Sequence, residues 1–204
     1  MIDYQMKEAA MSEISTATPI TRTVDGVELP VPGTYTLDTS HSSVNFVVKH
    51  LMVSKTRGTF TGFAGTVVIG EDPADSSVEV TVDVASVHTR DEKRDGHLRS
   101  ADFFHVEEHP TMTYKSTSVK PAGNEWLVDG DLTVHGVTGP LQLRVAFEGA
   151  ASTPWGGQAL GFSATGEVNR EDFGLTWNQA LETGGVLVGK KATIEIEAEA
   201  VPAT

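Results

Sequence analysis

The sequence predicts an all-β protein whose strands form one closed antiparallel barrel of about eight strands. From residue 78 to residue 84, valine occupies every second position and Glu, Thr or Asp stands between. Residues 192–200 alternate Ala or Ile with Thr or Glu in the same way. Such alternation indicates strands with one buried and one solvated face. Two of them far apart in the chain favour one large sheet, and closure removes the exposed edges of such a sheet.

The first half of the chain carries four strand patterns. Gly62 and Gly65, inside the third pattern, indicate a bend or bulge where a barrel turns a corner. Residues 72–75 read Asp-Pro-Ala-Asp, which favours a turn before the fourth pattern. The four strand candidates are residues 34–37, 44–51, 59–69 and 78–87.

The alternation breaks between residues 89 and 104, where charged residues are dense. This segment predicts a polar crossover with a short helix near residues 90–104. Alternation then resumes in the second half of the chain. The strand candidates there are residues 111–119, 126–134, 141–147, 160–168 and 188–201.

The length of 204 residues and the mass of 21.8 kDa fit one domain of the larger all-β kind. Residues 1–30 are low in hydrophobicity and end in a proline-rich turn, so we predict a flexible amino-terminal arm at 1–30 and a barrel domain at 31–204. Met1, Met6 and Met11 are alternative starts. The sequence shows no export-signal pattern and no run of roughly 18 apolar residues, so we expect a cytoplasmic protein that does not span a membrane.

The charge and the cysteine content exclude several classes of protein. The formal net charge is −13 and the isoelectric point is near 4.8. Because neutralising phosphates requires clustered Lys and Arg, we expect no nucleic-acid partner. The chain has no cysteine, which excludes a disulfide framework, thiol catalysis and any zinc site that uses cysteine.

Six sequence elements occur in order along the chain. They are His-Ser-Ser-Val-Asn-Phe at 41–46 with Val-Lys-His-Leu-Met-Val-Ser at 48–54, Gly-Thr-Phe at 58–60, Arg-Asp-Gly-His-Leu at 94–98, Asp-Phe-Phe at 102–104 before His109-Pro110, Gly-Asp-Leu-Thr-Val-His-Gly-Val-Thr at 130–138, and Asn-Arg-Glu-Asp-Phe-Gly at 169–174. In this combination the chain resembles the YceI-like family of bacterial proteins, over about residues 33–201.

The resemblance implies an extended lipocalin-like barrel whose pore holds a long isoprenoid, a quinone-type lipid or a similar fatty chain. It implies binding, transport or storage rather than catalysis, so we expect no enzyme activity and no cofactor. Residues 31–204 would then be a lipid-binding domain, and a homodimer is compatible with the family. The chain departs from the pattern at His105, where family members commonly carry an acidic residue.

Alternate residues of the strand patterns are candidates for the lining of the pore. An isoprenoid chain needs a slot lined by Val, Leu, Phe and Met with few polar groups. The alternative is that these side chains pack against one another and fill the barrel. Phe103 and Phe104 follow the crossover and are expected either to cap one mouth or to anchor the crossover to the sheet. The strand candidates are Val44, Phe46, Val48, Val80, Val82, Met112, Tyr114, Leu132, Val134 and Phe162.

Three basic residues are candidates for contact with the polar head of the ligand, because arginine matches phosphate oxygens with a bidentate fork. They are Arg94, His97 and Arg170. For Arg94 and His97 the alternative is pairing with acidic residues of the same segment. For Arg170 the alternative is a hydrogen-bonded support of the barrel. The histidines with that same alternative are His41, His50 and His135.

Residues 105–109 read His-Val-Glu-Glu-His, which matches the H-x-x-E-H pattern of one class of zinc protease. Pro110 disfavours a helix at His109, and no companion helix offers a third ligand, so we predict no metal site. Two other functions remain open. One is a metal-dependent hydrolase that uses His97, His105 and His109, and the other is a stress-linked protein-interaction module whose barrel is filled.

Overall fold

The structure is a computed structural model that describes residues 19–153, 157–182 and 184–203. These residues form twelve β-strands and one α-helix. The elements are β1 (Thr21–Val24), β2 (Val27–Pro30), β3 (Gly33–His50), β4 (Ser54–Phe60), β5 (Phe63–Ile69), β6 (Ser77–Asp83), β7 (Val87–His88), α1 (Glu92–Arg99), β8 (Thr111–Ala122), β9 (Glu125–Val134), β10 (Val137–Ser152), β11 (Gln158–Asn169) and β12 (Val188–Pro202).

Eight of these strands form a closed antiparallel barrel, which confirms the predicted fold class. The ring runs β3-β5-β6-β8-β9-β10-β11-β12 and closes where β12 pairs with β3. In this seam Val48 lies opposite Ala192, and Tyr35 lies opposite Pro202. Each strand of the ring therefore has a hydrogen-bonded neighbour on both sides. β4 and β7 extend the sheet beside β3.

Two predicted strands merge in the structure and two divide, one of them being 78–87, which a 3-10 helix at Val84–Ser86 breaks between β6 and β7. Residues 34–37 and 44–51 belong mostly to the single strand β3, whose first part pairs with β5 and whose last part pairs with β4. The predicted strand at 59–69 is two strands, because the chain turns a corner at residues 61–62. The backbone N–H of Asp83 donates to the carbonyl of Gly62 at that corner, across 2.8 Å. The bend that Gly62 indicates is thus present.

The predicted crossover contains α1, at the expected place. Asp91 begins the helix by accepting a hydrogen bond from the backbone N–H of Arg94 at 3.0 Å. At the other end of the helix, Arg99 donates from Nε to the carbonyl of Ala85 at 2.8 Å and from Nη2 to that of Val87 at 2.7 Å. The helix is therefore fastened to the segment just before it. No helix in the described ranges is long and apolar enough to cross a bilayer.

The predicted boundary of the flexible arm is wrong, because residues 21–30 form the hairpin β1–β2. Leu29 of this hairpin is only 5% exposed. The turn is made by Asp25 and Gly26, both with positive φ, which is the geometry that Asp-Gly favours between two strands. The Asp-Gly dipeptide indicates a hairpin, whereas the low hydrophobicity of residues 1–30 favours a flexible arm. Residues 1–18 of the predicted arm lie outside the described part of the chain.

Candidate functional site

A cavity of about 340 Å³ lies inside the barrel. Ligand cavities in proteins occupy roughly 300–1,000 Å³, so this one has room for a small ligand or one flexible chain. All twelve predicted pore residues lie in its wall, whereas their contact with a ligand stays a prediction. The twelve are Val44, Phe46, Val48, Val80, Val82, Phe103, Phe104, Met112, Tyr114, Leu132, Val134 and Phe162.

The wall extends over strands from which the sequence prediction named no residue. Leu141 and Leu143 of β10 and Ile194 and Ile196 of β12 also line the cavity. Their alternation with polar residues is as clear as that of the predicted set, so the signal for them was present. Since alternate side chains of a rolled sheet point inward, every strand of the ring supplies apolar groups to one interior.

Tyr114 brings a hydroxyl into this apolar wall, and the backbone satisfies it. Its Oη donates to the carbonyl oxygen of Val128 at 3.0 Å. Burial, reinforced by the charges of Asp129 and Asp131, raises the pKa of Tyr114, so the hydroxyl stays neutral. Gly130 gives the ring its space, because a Cβ at that position would lie 2.5 Å from Cζ of Tyr114.

Phe103 and Phe104 line the end of the cavity that the crossover covers. The crossover joins the end of β7 to the start of β8, so it lies at an end of the barrel. Phe104 meets Phe60 edge to face, with ring centroids 5.8 Å apart, and Phe103 lies 5.3 Å from Trp177. Both phenylalanines therefore line the cavity and anchor the crossover, hereafter the cap, whereas closure of a barrel mouth by these rings stays a prediction.

Arg170 lines the cavity and is only 5% exposed. It follows β11 in a short 3-10 helix. Its Nε donates to the carbonyl of Gly189 at 3.0 Å, and its Nη1 donates to the carbonyl of Leu175. Its Nη2 is buried and has no hydrogen-bond partner among the described residues. Burial lowers the pKa of Arg170. Because Arg170 lines the cavity, Nη2 is a candidate donor to a ligand oxygen.

Arg94 and His97 do not line the cavity, which corrects their predicted place beside a ligand head. Arg94 donates from Nε to the Thr89 hydroxyl at 2.7 Å and from Nη2 to the Thr89 carbonyl at 2.8 Å. His97 Nε2 is hydrogen-bonded to Asp102 Oδ2 at 2.9 Å. Both side chains thus bond within their own segment. Of the three predicted head-group residues, Arg170 alone faces the interior.

A buried carboxylate holds α1 in position. Oδ1 of Asp95 accepts hydrogen bonds from the backbone N–H of Thr89 at 2.8 Å and from its hydroxyl at 2.5 Å. His88 Nδ1 lies 3.3 Å from the other carboxylate oxygen. Burial opposes ionisation, but the bonds from Thr89 and the contact with His88 outweigh it and lower the pKa of Asp95. Asp95 therefore remains charged and supports the cap.

The hairpin β1–β2 contributes to the cavity wall near the turn between β5 and β6. Arg22, Leu29 and Pro30 line this part. Arg22 donates from Nη2 to the carbonyl of Gly70 at 2.6 Å, and its Nε is buried without a partner within the described ranges. The sequence prediction assigned no role to these residues, because it placed them in the arm.

The histidine trio expected for a hydrolase, His97, His105 and His109, does not form. His97 packs against Trp177, with centroids 4.5 Å apart. His105 and His109 instead approach His135, and nitrogen atoms of these three rings lie within 4.8 Å of one another. Burial and the neighbouring His109 and His105 lower the pKa of His135. The sequence prediction considers a third ligand only on a helix, whereas His135 lies in the turn between β9 and β10.

Comparison with known proteins agrees with the motifs. Residues 35–200 match the family model described as the YceI-like domain. A UPF0312 protein of Staphylococcus aureus (strain N315) is 42% identical over 168 residues, which cover 81% of this chain and 95% of that protein.

Two solved structures share the fold. BcnA of Burkholderia cenocepacia has a TM-score of 0.70 at 24% identity, and the match covers 82% of this chain and 99% of that one. A polyisoprenoid binding domain from Saccharophagus degradans, implicated in plant cell wall breakdown, has a TM-score of 0.60 at 16% identity, with 83% and 98% covered. These likenesses concern the fold alone. Together with the matched model and the staphylococcal relative, they lead to one conclusion: the chain belongs to the YceI-like family.

Proposed function

We propose that this protein binds a long-chain isoprenoid or a similar amphiphilic lipid in its barrel, without catalysis, and that it transports or stores the bound lipid. The observation that carries the proposal is the apolar cavity of about 340 Å³, whose wall contains an arginine with a buried nitrogen that lacks a partner in the described part of the chain. An apolar wall suits a hydrocarbon chain, and a buried donor suits a polar head.

The wall requires no specific contact to hold a chain. Nearly all the side chains that line it are aliphatic or aromatic. Burial of apolar surface contributes about 25 cal/mol per Å², so a chain that loses about 200 Å² of exposed surface gains about 5 kcal/mol. A flexible hydrocarbon of variable length is therefore a suitable occupant.

Arg170 is the proposed partner of the head. Its hydrogen bonds go to the carbonyl oxygens of Gly189 and Leu175, which carry no formal charge. A phosphate, carboxylate or quinone oxygen would satisfy Nη2, and an anionic head would also balance the buried charge. This arrangement favours amphiphiles over plain hydrocarbons.

The comparisons support the proposal at the level of fold. The neighbour from Saccharophagus degradans is described as polyisoprenoid-binding and has the same kind of barrel. A filled barrel is not supported, because the cavity is open space. A hydrolase that uses His97, His105 and His109 is not supported either, because His97 lies with Trp177 and not with the other two.

Native mass spectrometry of untagged protein, followed by organic extraction, tests the proposal. We expect a lipid-sized adduct that the extraction releases, and the same spectrum reports the number of subunits and so tests the homodimer. Ala164 lines the cavity, while its neighbour Thr165 is exposed on the outer face. Ala164→Phe should lose the adduct and Thr165→Phe should keep it. An adduct retained equally by both variants, or absent from the wild type after incubation with isoprenoid lipids, would overturn the proposal.

A further inference from the structure

Three histidines meet beside the cap of the barrel. His105 and His109 lie in the turn that directly follows Phe104, and the backbone N–H of His109 donates to the carbonyl of His105 at 2.9 Å. This bond places the two imidazoles one turn apart, on the same side. His135 reaches them from the turn between β9 and β10. One nitrogen from each ring lies within 4.8 Å of the other two.

The turn that carries His135 packs closely against the ring of His109. Gly136 lies directly against His109, since a Cβ at Gly136 would be 2.8 Å from Cε1 of that ring. The centroids of His109 and His135 are 4.7 Å apart, and those of His105 and His135 are 6.4 Å apart. All three histidines are half-buried, so the cluster is partly shielded and still open to an ion from solvent.

The ring of His135 also has backbone neighbours on the side that faces Phe173 and Gly174. The backbone of Phe173 lies close enough to the ring to raise the pKa of His135 against the larger lowering effect of burial, and Nδ1 is the ring nitrogen that faces Gly174. Metal-binding histidines usually have one ring nitrogen held by a backbone carbonyl or a carboxylate, which leaves the second for the ion. His105 has a comparable neighbour, because Glu108 Oε2 lies 3.5 Å from its Nδ1.

We propose that His105, His109 and His135 bind one divalent transition-metal ion of the zinc class. Zinc bonds to imidazole nitrogen at about 2.0–2.1 Å, so tetrahedral ligands lie about 3.4 Å apart. The nitrogens, within 4.8 Å of one another, reach this spacing by small rotations of the half-buried rings. A water molecule would complete the four ligands. Imidazole ligands favour Zn²⁺, Cu²⁺ and Ni²⁺ over Mg²⁺ and Ca²⁺.

The bound ion would join two separate segments of the chain. His105 immediately follows the two phenylalanines that line the cavity, and His135 lies in a turn of the barrel itself. Metal binding would therefore fasten the cap to the barrel. The proposal does not depend on a lipid, because it rests on the three rings and their supports.

The test uses the full chain, purified without a histidine tag and treated with a chelator. Titration with Zn²⁺ in a calorimeter should show one ion per chain. His109→Ala should weaken Zn²⁺ binding at least tenfold. Because His105 and His135 have φ of 48° and 52°, a region that asparagine accepts readily, His105→Asn and His135→Asn should weaken binding similarly with little backbone strain.

His41→Ala is the matched control, since the exposed His41 belongs to a second group with the half-buried Asp38 and Glu199. This variant should bind Zn²⁺ as the wild type does. Co²⁺ added in place of Zn²⁺ should give the intense visible absorption of a tetrahedral site, and Zn²⁺ should slow hydrogen exchange of the cap. The proposal is overturned if the wild type binds no Zn²⁺, if the three histidine variants bind it as tightly as the wild type, or if binding is lost in His41→Ala instead.

Discussion

The Nε atom of Arg170 donates to the carbonyl oxygen of Gly189 across 3.0 Å, which joins the segment after β11 to the start of β12. The same guanidinium donates to the carbonyl of Leu175. Arg170 thus supports one end of the barrel, and its Nη2 is the proposed donor to the ligand. The role of support and the role of ligand contact, which the sequence left as alternatives, are structurally compatible.

Replacing Arg170 tests both roles at once. Arg170→Met leaves two carbonyls without their donor, so we expect the free energy of unfolding to fall by about 1–3 kcal/mol. The preference for lipids with an anionic head should also disappear. Arg144→Met is the control, because Arg144 forms an exposed ion pair with Glu125 that contributes less than about 1 kcal/mol. Urea unfolding measures the difference, and equal losses in the two variants would contradict the assignment.

Two glycine substitutions should change the free energy of unfolding in opposite directions. Gly130→Ala places a Cβ 2.5 Å from the Tyr114 ring, so we expect a loss of about 1–3 kcal/mol of stability. Gly96→Ala lies inside α1 with open space around the new Cβ, and should gain about 0.5–1 kcal/mol. Thermal unfolding of both variants checks the signs. Adding Tyr114→Leu should recover part of the loss in Gly130→Ala, and a failure to recover would place its cause elsewhere.

Acid should remove the contribution that Asp129 makes to the stability of the folded chain. Hydrogen bonds from Gln142, Lys120 and Ser118 lower its pKa to about 2, compared with about 3.9 in an unfolded chain. Because the unfolded state binds the proton more tightly, the contribution is complete above about pH 4 and is lost as the pH falls through about 2. Asp129→Asn should make the decline of stability with acid less steep. Asp131→Asn, exposed on the same strand, should follow the wild type in urea titrations over that range.

The fastening of α1 should control the opening of the cap. Arg99→Ala removes the donors to Ala85 and Val87, so amides of residues 92–104 should exchange with solvent at least tenfold faster. Lys93→Ala, on an exposed position of the same helix, should exchange as the wild type does. Hydrogen exchange with mass spectrometry resolves this segment. Identical exchange in the two variants would mean that the cap is held by other contacts.

The barrel was predictable because alternation along a strand is a direct record of which side chains face inward. Val80 and Leu132 lie in one cavity wall although only local patterns pointed there. The free nitrogen of Arg170 was not predictable, since its lack of a partner depends on three segments that meet only in the folded chain. The proximity of His135 to His109 was not predictable for a similar reason. His135 lies in a turn, and turns have no periodic pattern that shows where a side chain points.

The seam between β3 and β12 has a consequence for biosynthesis. Asp38 lies opposite Glu199, so the ring is completed by strands that leave the ribosome at very different times. Contacts this distant in sequence form slowly. Until β12 has been synthesised, the sheet has two unpaired edge strands. Strands of other nascent chains can pair with these edges. We therefore expect a need for chaperone protection during translation, and recovery on refolding that falls as protein concentration rises.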